Sequence, residues 1–141
     1  MSRQPCRIAW GLIVAAALAG SGCGRARDTA DMNELQRVKT GPMTVVLLSS
    51  HDALRQGTDT FIIEFRTEDG DRLVDVGEIG GTASMAMTGT PMFGSLDVRR
   101  TNVPGRYEAR AEFSMAGTWR IALEWEGPAG KGAVAFAGSV L

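Results

Sequence analysis

The chain has 141 residues, with 15 Lys or Arg against 16 Asp or Glu, so its formal net charge is −1. Such a balance lacks the basic footprint of a nucleic-acid-binding domain, and no nucleic-acid partner is expected. Without the first 22 residues, 13 basic residues face 16 acidic ones. The remaining chain of about 118 residues suffices for one domain that buries roughly two-thirds of its unfolded surface.

Residues 1–22 have the organisation of an export signal. A basic start precedes an apolar run from Ile8 to Ala19, and small residues follow. This run of 12 residues is too short to cross a bilayer as a helix, which needs roughly 20. We therefore interpret residues 1–22 as a signal peptide, not as a membrane anchor.

Cys23 directly follows the small residues Gly20-Ser21-Gly22. This arrangement resembles the lipobox of bacterial lipoproteins, although Gly20 stands where such boxes usually carry Leu, Val or Ile. It predicts cleavage before Cys23 and acylation of that residue, giving a membrane-anchored lipoprotein of the cell envelope that faces the periplasm or the exterior. The alternative is cleavage after Ala19, which gives a soluble periplasmic or secreted protein.

The cysteine and histidine content narrows the possible chemistry. Cys6 lies in the signal and Cys23 at the predicted lipidation site, so the folded part contains no thiol. It can form no internal disulfide, no Cys-type zinc site and no Cys nucleophile. Because His51 is the only histidine, the usual zinc and iron sites are not expected either.

Residues 23–42 are polar and mixed in charge, which predicts a flexible tether between the lipid and the domain. Met32, Leu35 and Val38 recur every three residues, so one short helical segment is the alternative at this point.

From residue 43 to residue 141, short apolar segments alternate with turn signals, as in all-β domains. The clearest alternation runs over Arg106–Ser114, and a second follows from Trp119 to Glu126. Ala116-Gly117 lies between them and predicts a tight turn, so that the two strands form a hairpin. Trp119 and Trp125 share one face of their strand and are predicted to be core residues.

Further short strands are predicted at residues 45–48, 61–66, 73–79, 83–88, 96–100 and 132–140. Seven to eight short antiparallel strands without a long helix favour an immunoglobulin-like β-sandwich.

Three methionines lie close together at Met85, Met87 and Met92, around the turn Gly89-Thr90-Pro91. Within one strand, Met85 and Met87 would share a face, and the turn would bring Met92 towards them. Neutral thioether sulfur selects Cu(I) or Ag(I) over harder ions. Flexible methionines also fill gaps in hydrophobic cores, and the spacing by itself leaves both interpretations open.

Met115 and His51 are possible additional ligands if the fold brings them near. His51-Asp52 could suggest a catalytic pair, but adjacent residues in an extended segment point apart. The chain has no G-x-S-x-G motif and no glycine-rich phosphate loop before a helix. We therefore expect no enzyme activity and no catalytic residues.

Several of these segments resemble the YtkA-like domain, which is related to the FixH family. The resemblance rests on Val103–Ala109 with its Pro-Gly-x-Tyr pattern, on Phe113–Ile121 with Trp119-x-Ile, on Met85-Ala86-Met87 and on Asp52–Phe61. It implies an immunoglobulin-like extracytoplasmic domain, often in a lipoprotein or beside heavy-metal efflux and copper-delivery components.

The family's methionine segment often reads M-x-M-P-x-M, whereas this chain has Thr88-Gly89-Thr90-Pro91-Met92 after Met87. The resemblance and the soft sulfur ligands together favour a domain that binds or hands over Cu(I), with an efflux or oxidase-assembly protein as partner. The alternative is a non-metal interaction module, accessory to an envelope efflux or secretion complex, in which Met85 and Met87 are buried and inert.

Overall fold

The computed structural model describes residues 28–141, which consist of β-strands joined by short connections. The strands are β1 (Asn33–Thr40), β2 (Met43–Ser49), β3 (Gly57–Thr67), β4 (Glu78–Met85), β5 (Met92–Arg100), β6 (Arg106–Phe113), β7 (Gly117–Gly127) and β8 (Gly130–Val140). All pairs of neighbouring strands are antiparallel. The predicted all-β fold class is confirmed, and this part of the chain contains no helix long and apolar enough to cross a membrane.

The strands form one sheet in the order β1-β2-β3-β6-β5-β4-β7-β8. The sheet folds over into two layers, and β5 joins them: its first three residues pair with β4, whereas Ser95–Arg100 pair with β6. Gly94 lies where β5 changes partner, and a Cβ there would lie 2.4 Å from the carbonyl oxygen of Glu112. Only glycine permits this close approach of β5 to β6.

β1 and β8 are the two ends of the strand order. The Thr40 hydroxyl donates a hydrogen bond to the carbonyl oxygen of Ala133 at 3.3 Å, across the gap between them. The fold is thus a nearly closed, barrel-like β-sandwich.

The predicted hairpin between Arg106–Ser114 and Trp119–Glu126 is wrong in its pairing, although both strands exist. β6 pairs with β3 and β5, and β7 pairs with β4 and β8. Residues 114–116 therefore cross from one layer to the other, and Phe113 packs edge-on against Trp119 across the core, with ring centroids 5.2 Å apart. When the two strands face each other in different layers, their inward side chains bury more apolar surface than they would side by side in one sheet.

The core lies between the layers and is built by the inward residues of each alternation. Trp119 is fully buried and Trp125 is 4% exposed, which confirms the prediction that both are core residues. Phe65 contacts Tyr107 and Trp125 edge-on, with ring centroids 5.6 and 4.9 Å apart. Three aromatic rings thus join β3, β6 and β7.

The second half of the predicted tether is a strand, because Asn33–Thr40 forms β1 and pairs with β2. Leu35 and Val38 both pack against the core, and the register shifts between Glu34 and Gln36. This bulge breaks the period of two and produces the three-residue spacing that suggested a helical segment.

Residues 28–32 lie against the outer face of the first layer. Met32 packs on the buried side chains of Val46, Leu48 and Ile62, and Thr29 Oγ1 accepts a hydrogen bond from Arg106 at 3.0 Å. The predicted signal peptide (1–22), the lipidation site Cys23 and the tether up to residue 27 lie outside the described residues.

At the end of the sandwich where β6 begins, Tyr107 fixes the loop before β4. Its hydroxyl donates to the carbonyl oxygen of Gly77 at 2.8 Å and accepts from the amide of Val76 at 3.3 Å. Burial raises the pKa of Tyr107 above its ordinary value. The Gly77 amide and the Arg100 guanidinium hold the pKa of the nearby Asp75 carboxyl below its ordinary value.

Candidate functional site

Four of the chain's seven methionines lie at the opposite end of the sandwich, which we term the methionine end. There β4 ends at Met85, β5 begins at Met92, the connection 86–91 carries Met87 and the connection 114–116 carries Met115. The antiparallel order of the strands brings these four positions to one end. The fold therefore gathers the three predicted ligands and Met115, which lies about 25 residues further along the chain.

Met85 and Met92 are directly opposite each other in the β4–β5 ladder. Residues in this relation have Cβ atoms about 4.5–5.5 Å apart. Both side chains are half-buried and pack against the core. The two side chains thus start next to each other at the edge of the core and are partly covered by it.

Met87 does not share a strand with Met85, contrary to the prediction of one strand over 83–88. β4 ends at Met85, and Met87 lies in the following connection with 45% of its surface exposed. The ladder between β4 and β5 ends at the Met85–Met92 pair, so Ala86 and Met87 have no ladder partner to keep them extended. Met87 therefore lies exposed to solvent, two residues beyond Met85.

The connection 114–116 packs directly against the methionine pair. The Ser114 hydroxyl lies 2.8 Å from Met92 Sδ and donates a hydrogen bond to it. A Cβ on Gly117 would lie 2.1 Å from Met85 Cε and 3.6 Å from Met85 Sδ, so the Met85 thioether occupies the space that a side chain at position 117 would fill. Ser114 and Gly117 were not predicted from the sequence, since only the fold places them against Met92 and Met85.

The side chain of Met115 is 37% exposed, and the Met115 backbone is held by a hydrogen bond from the core. Its carbonyl oxygen accepts a hydrogen bond from the indole nitrogen of Trp119 at 3.0 Å. The buried indole thus holds the connection that carries Met115 in place beside the methionine pair.

His51 lies in the connection between β2 and β3, at the same end of the sandwich. It is half-buried, its amide donates to Ser49 Oγ at 3.2 Å, and the depression that it borders is lined by residues 51–55 and Leu141. The role of His51 as an additional ligand stays a prediction.

The chain segment that carries three of the four methionines is uncharged. No charged residue occurs between Thr82 and Leu96, a stretch that contains Met85, Met87 and Met92. Within residues 28–141, no group of three or more His, Cys, Asp and Glu side chains could hold a metal ion. This segment thus offers neutral, polarisable sulfur and no carboxylate that would favour a hard cation such as Mg²⁺ or Ca²⁺.

The same end carries the exposed large apolar side chains of the described chain. Phe93 is 71% and Leu141 is 77% exposed, beside the partly exposed Met87 and Met115. Apolar residues gathered at one end are typical of a contact surface for another molecule. Phe93 was not among the predicted site residues, because its strand alternation alone does not reveal which face is left uncovered.

Comparison with known proteins gives a family for this arrangement. A family model described as YtkA-like matches residues 37–124, from within β1 to within β7, and includes all four methionines of the methionine end. No curated protein and no solved structure matches the chain. Because the family model covers more than half of the 141 residues, the chain belongs to the YtkA-like family.

Proposed function

We propose that this protein is a cell-envelope domain that binds or hands over a soft metal ion, Cu(I) above all, in metal homeostasis or efflux. The observation that carries the proposal is the pairing of Met85 with Met92, two half-buried thioethers opposite each other at the rim of the core. In this proposal Met87 supplies the third sulfur from the adjacent connection, and Met115, at the same end, is the additional candidate ligand. Thioether sulfur binds Cu(I) and Ag(I) in preference to harder ions.

Titration with Ag(I), and with Cu(I) under anaerobic conditions, tests this proposal. We expect the purified protein to bind one ion, and the Met85→Leu/Met87→Leu/Met92→Leu variant to bind it more than about 100-fold more weakly, since changes to outer-shell partners alone typically cost 10–100-fold. Competition with a chromophoric chelator measures the affinity.

The matched control is Met32→Leu/Met43→Leu: Met43 begins β2 at the opposite end of the sandwich, and Met32 packs on the outer face, outside the core that Met85 and Met92 contact. Exchange of Leu for Met usually costs less than about 1.5 kcal/mol in stability, so both variants are expected to fold. Equal binding by the triple variant and the control would overturn the assignment of these three ligands.

We propose further that the domain is anchored to the membrane by acylation of Cys23. Thr29, which contacts Arg106, follows Cys23 by only six residues. Because an extended chain spans at most about 3.6 Å per residue, this anchor would hold the domain within roughly 20 Å of the lipid headgroups.

Mass spectrometry of the N-terminal peptide from the protein purified out of its own membranes tests the anchor. An N-terminal Cys23 whose mass is increased by acyl chains is the expected result. A peptide that begins at Gly20, with an unmodified thiol, would instead indicate cleavage after Ala19 and a soluble form.

The exposed Phe93 and Leu141 favour a second candidate, a protein-interaction module without a metal. In that case an envelope efflux, secretion or oxidase-assembly protein would cover the methionine end, and Met87 would serve as an apolar contact. The same titration distinguishes the candidates. The interaction module predicts that the unmodified protein, like the triple variant and the control, binds neither Ag(I) nor Cu(I).

A further inference from the structure

Each side chain of the methionine pair has a close contact with the segment 114–117. Met92 Sδ accepts a hydrogen bond from the Ser114 hydroxyl at 2.8 Å, and the Met85 thioether lies over Gly117. Ser114 lies in the crossing between β6 and β7 and Gly117 is the first residue of β7, so both belong to a part of the chain that contributes neither Met85 nor Met92. Two sulfurs on one ladder are thus each contacted by the same neighbouring segment.

We propose that Ser114 and Gly117 are positioning residues of the soft-metal site, which fix the sulfurs of Met92 and Met85 before an ion binds. This inference rests on the proposed function. Methionine has three rotatable side-chain bonds, so an unconstrained thioether samples many positions and loses that freedom when it binds an ion. A sulfur that is already fixed loses less, which increases the affinity.

Ser114 acts by donating a hydrogen bond to one of the two lone pairs of the Met92 sulfur. A thioether sulfur is a weak hydrogen-bond acceptor, and a hydroxyl that donates to one lone pair orients the other. That free lone pair is the one available to an incoming ion. Ser114 is itself exposed, so its replacement by alanine removes this contact without leaving a cavity in the core.

Gly117 acts by leaving room for the Met85 side chain. It has φ of 140°, and any side chain there would displace the methyl group of Met85, which would lie 2.1 Å from the added Cβ. The missing side chain is therefore what permits Met85 to lie flat against the start of β7. Gly117→Ala would therefore displace the Met85 thioether from its present position.

The test measures Ag(I) affinity for Ser114→Ala and Gly117→Ala in the full-length protein. We expect each to bind Ag(I) about 10-fold more weakly, the low end of the 10–100-fold range for groups that orient metal ligands. The effect of Ser114→Ala is expected to disappear in a Met92→Leu background, and that of Gly117→Ala in a Met85→Leu background. A purely structural role would lower stability in both backgrounds without this dependence.

Matched controls separate positioning from strain. Gly130→Ala introduces the same kind of backbone strain, since Gly130 has φ of 99°, but a Cβ there meets no atom within 4 Å. Ser95→Ala removes an exposed hydroxyl from β5. Both controls are expected to bind Ag(I) as the unmodified protein does.

A second measurement needs no metal. In protein labelled with ¹³C at the methionine methyl groups, Ser114→Ala should shift the Met92 signal and Gly117→Ala the Met85 signal. If the unmodified protein and both variants bind Ag(I) equally, the positioning proposal is wrong and the proposed function stands. If the unmodified protein binds no Ag(I), the proposed function is wrong and the positioning proposal falls with it, whatever the methyl signals show.

Discussion

Replacement of Trp119 by alanine is expected to lower the free energy of unfolding by about 3–5 kcal/mol, the usual cost of removing a large buried aromatic side chain. Trp119 is fully buried and packs edge-on against Phe113. It also lies directly beneath Gly94, where an added Cβ would be 3.1 Å from the indole ring. The cavity would therefore open where β5 and β7 meet under the methionine end. Urea or guanidinium denaturation followed by circular dichroism measures the loss.

Trp119→Phe serves as the conservative comparison. It retains an aromatic ring against Phe113 but loses the indole hydrogen bond to the carbonyl oxygen of Met115, which is 3.0 Å long. That bond contributes about 1 kcal/mol, and the smaller ring adds a partial cavity cost. A Trp119→Ala variant whose free energy of unfolding is less than about 1 kcal/mol below that of the unmodified protein would contradict this role of Trp119 in the core.

Replacement of Glu64 by alanine is expected to lower the free energy of unfolding by about 3 kcal/mol, because it leaves two guanidinium groups without their shared acceptor. Glu64 on β3 is fully buried. Its carboxylate accepts hydrogen bonds from Arg106 Nε at 2.8 Å and from Arg66 Nε at 2.9 Å. The Arg66 and Arg106 side chains are 30% and 18% exposed, so water can reach them and the cost stays at the low end of the range for broken buried pairs.

Asp97→Ala is the matched control for Glu64→Ala. Asp97 pairs with Arg99 at 2.7 Å on β5, and both side chains are more than half exposed. An exposed pair of this kind contributes less than about 1 kcal/mol. Denaturation curves that give equal losses for Glu64→Ala and Asp97→Ala would contradict the role assigned to burial.

These two variants also bear on the site. The Glu64 network joins β3 and β6 and reaches Thr29 through Arg106, far along the strands from the methionine pair. Trp119, in contrast, supports the backbone of Met115 directly. We therefore expect Trp119→Phe, but not Glu64→Ala, to weaken soft-metal binding as well as stability.

The sequence predicts individual strands well where a regular alternation is present. Arg106–Ser114 and Trp119–Glu126 correspond closely to β6 and β7, because a strand with one buried face must alternate. Alternation carries no information on the neighbour of each strand, so the predicted hairpin between these two strands was wrong. β1 was missed because its bulge places Leu35 and Val38 on one face despite their odd spacing.

The candidate site was only partly predictable. The three methionines could be found from their spacing and the chemistry of sulfur, but Met87 was placed in a strand that ends before it. The register of β4 with β5 makes Met92 the partner of Met85. Ser114 and Gly117 have no local signal, because a serine and a glycine near a turn are common in any β protein.

By itself, the sequence determined which soft donor atoms the folded part contains. Residues 24–141 contain no cysteine, one histidine and no charged side chain from Thr82 to Leu96, so thioethers are the only soft donors available near the methionine segment. The tertiary structure decided where these methionines lie relative to one another. It paired Met85 with Met92 in the β4–β5 ladder, left Met87 in the following connection and brought residues 114–117 against the pair. The physical reason is that composition and alternation are properties of one segment, whereas strand partners and register depend on the packing free energy of both layers together.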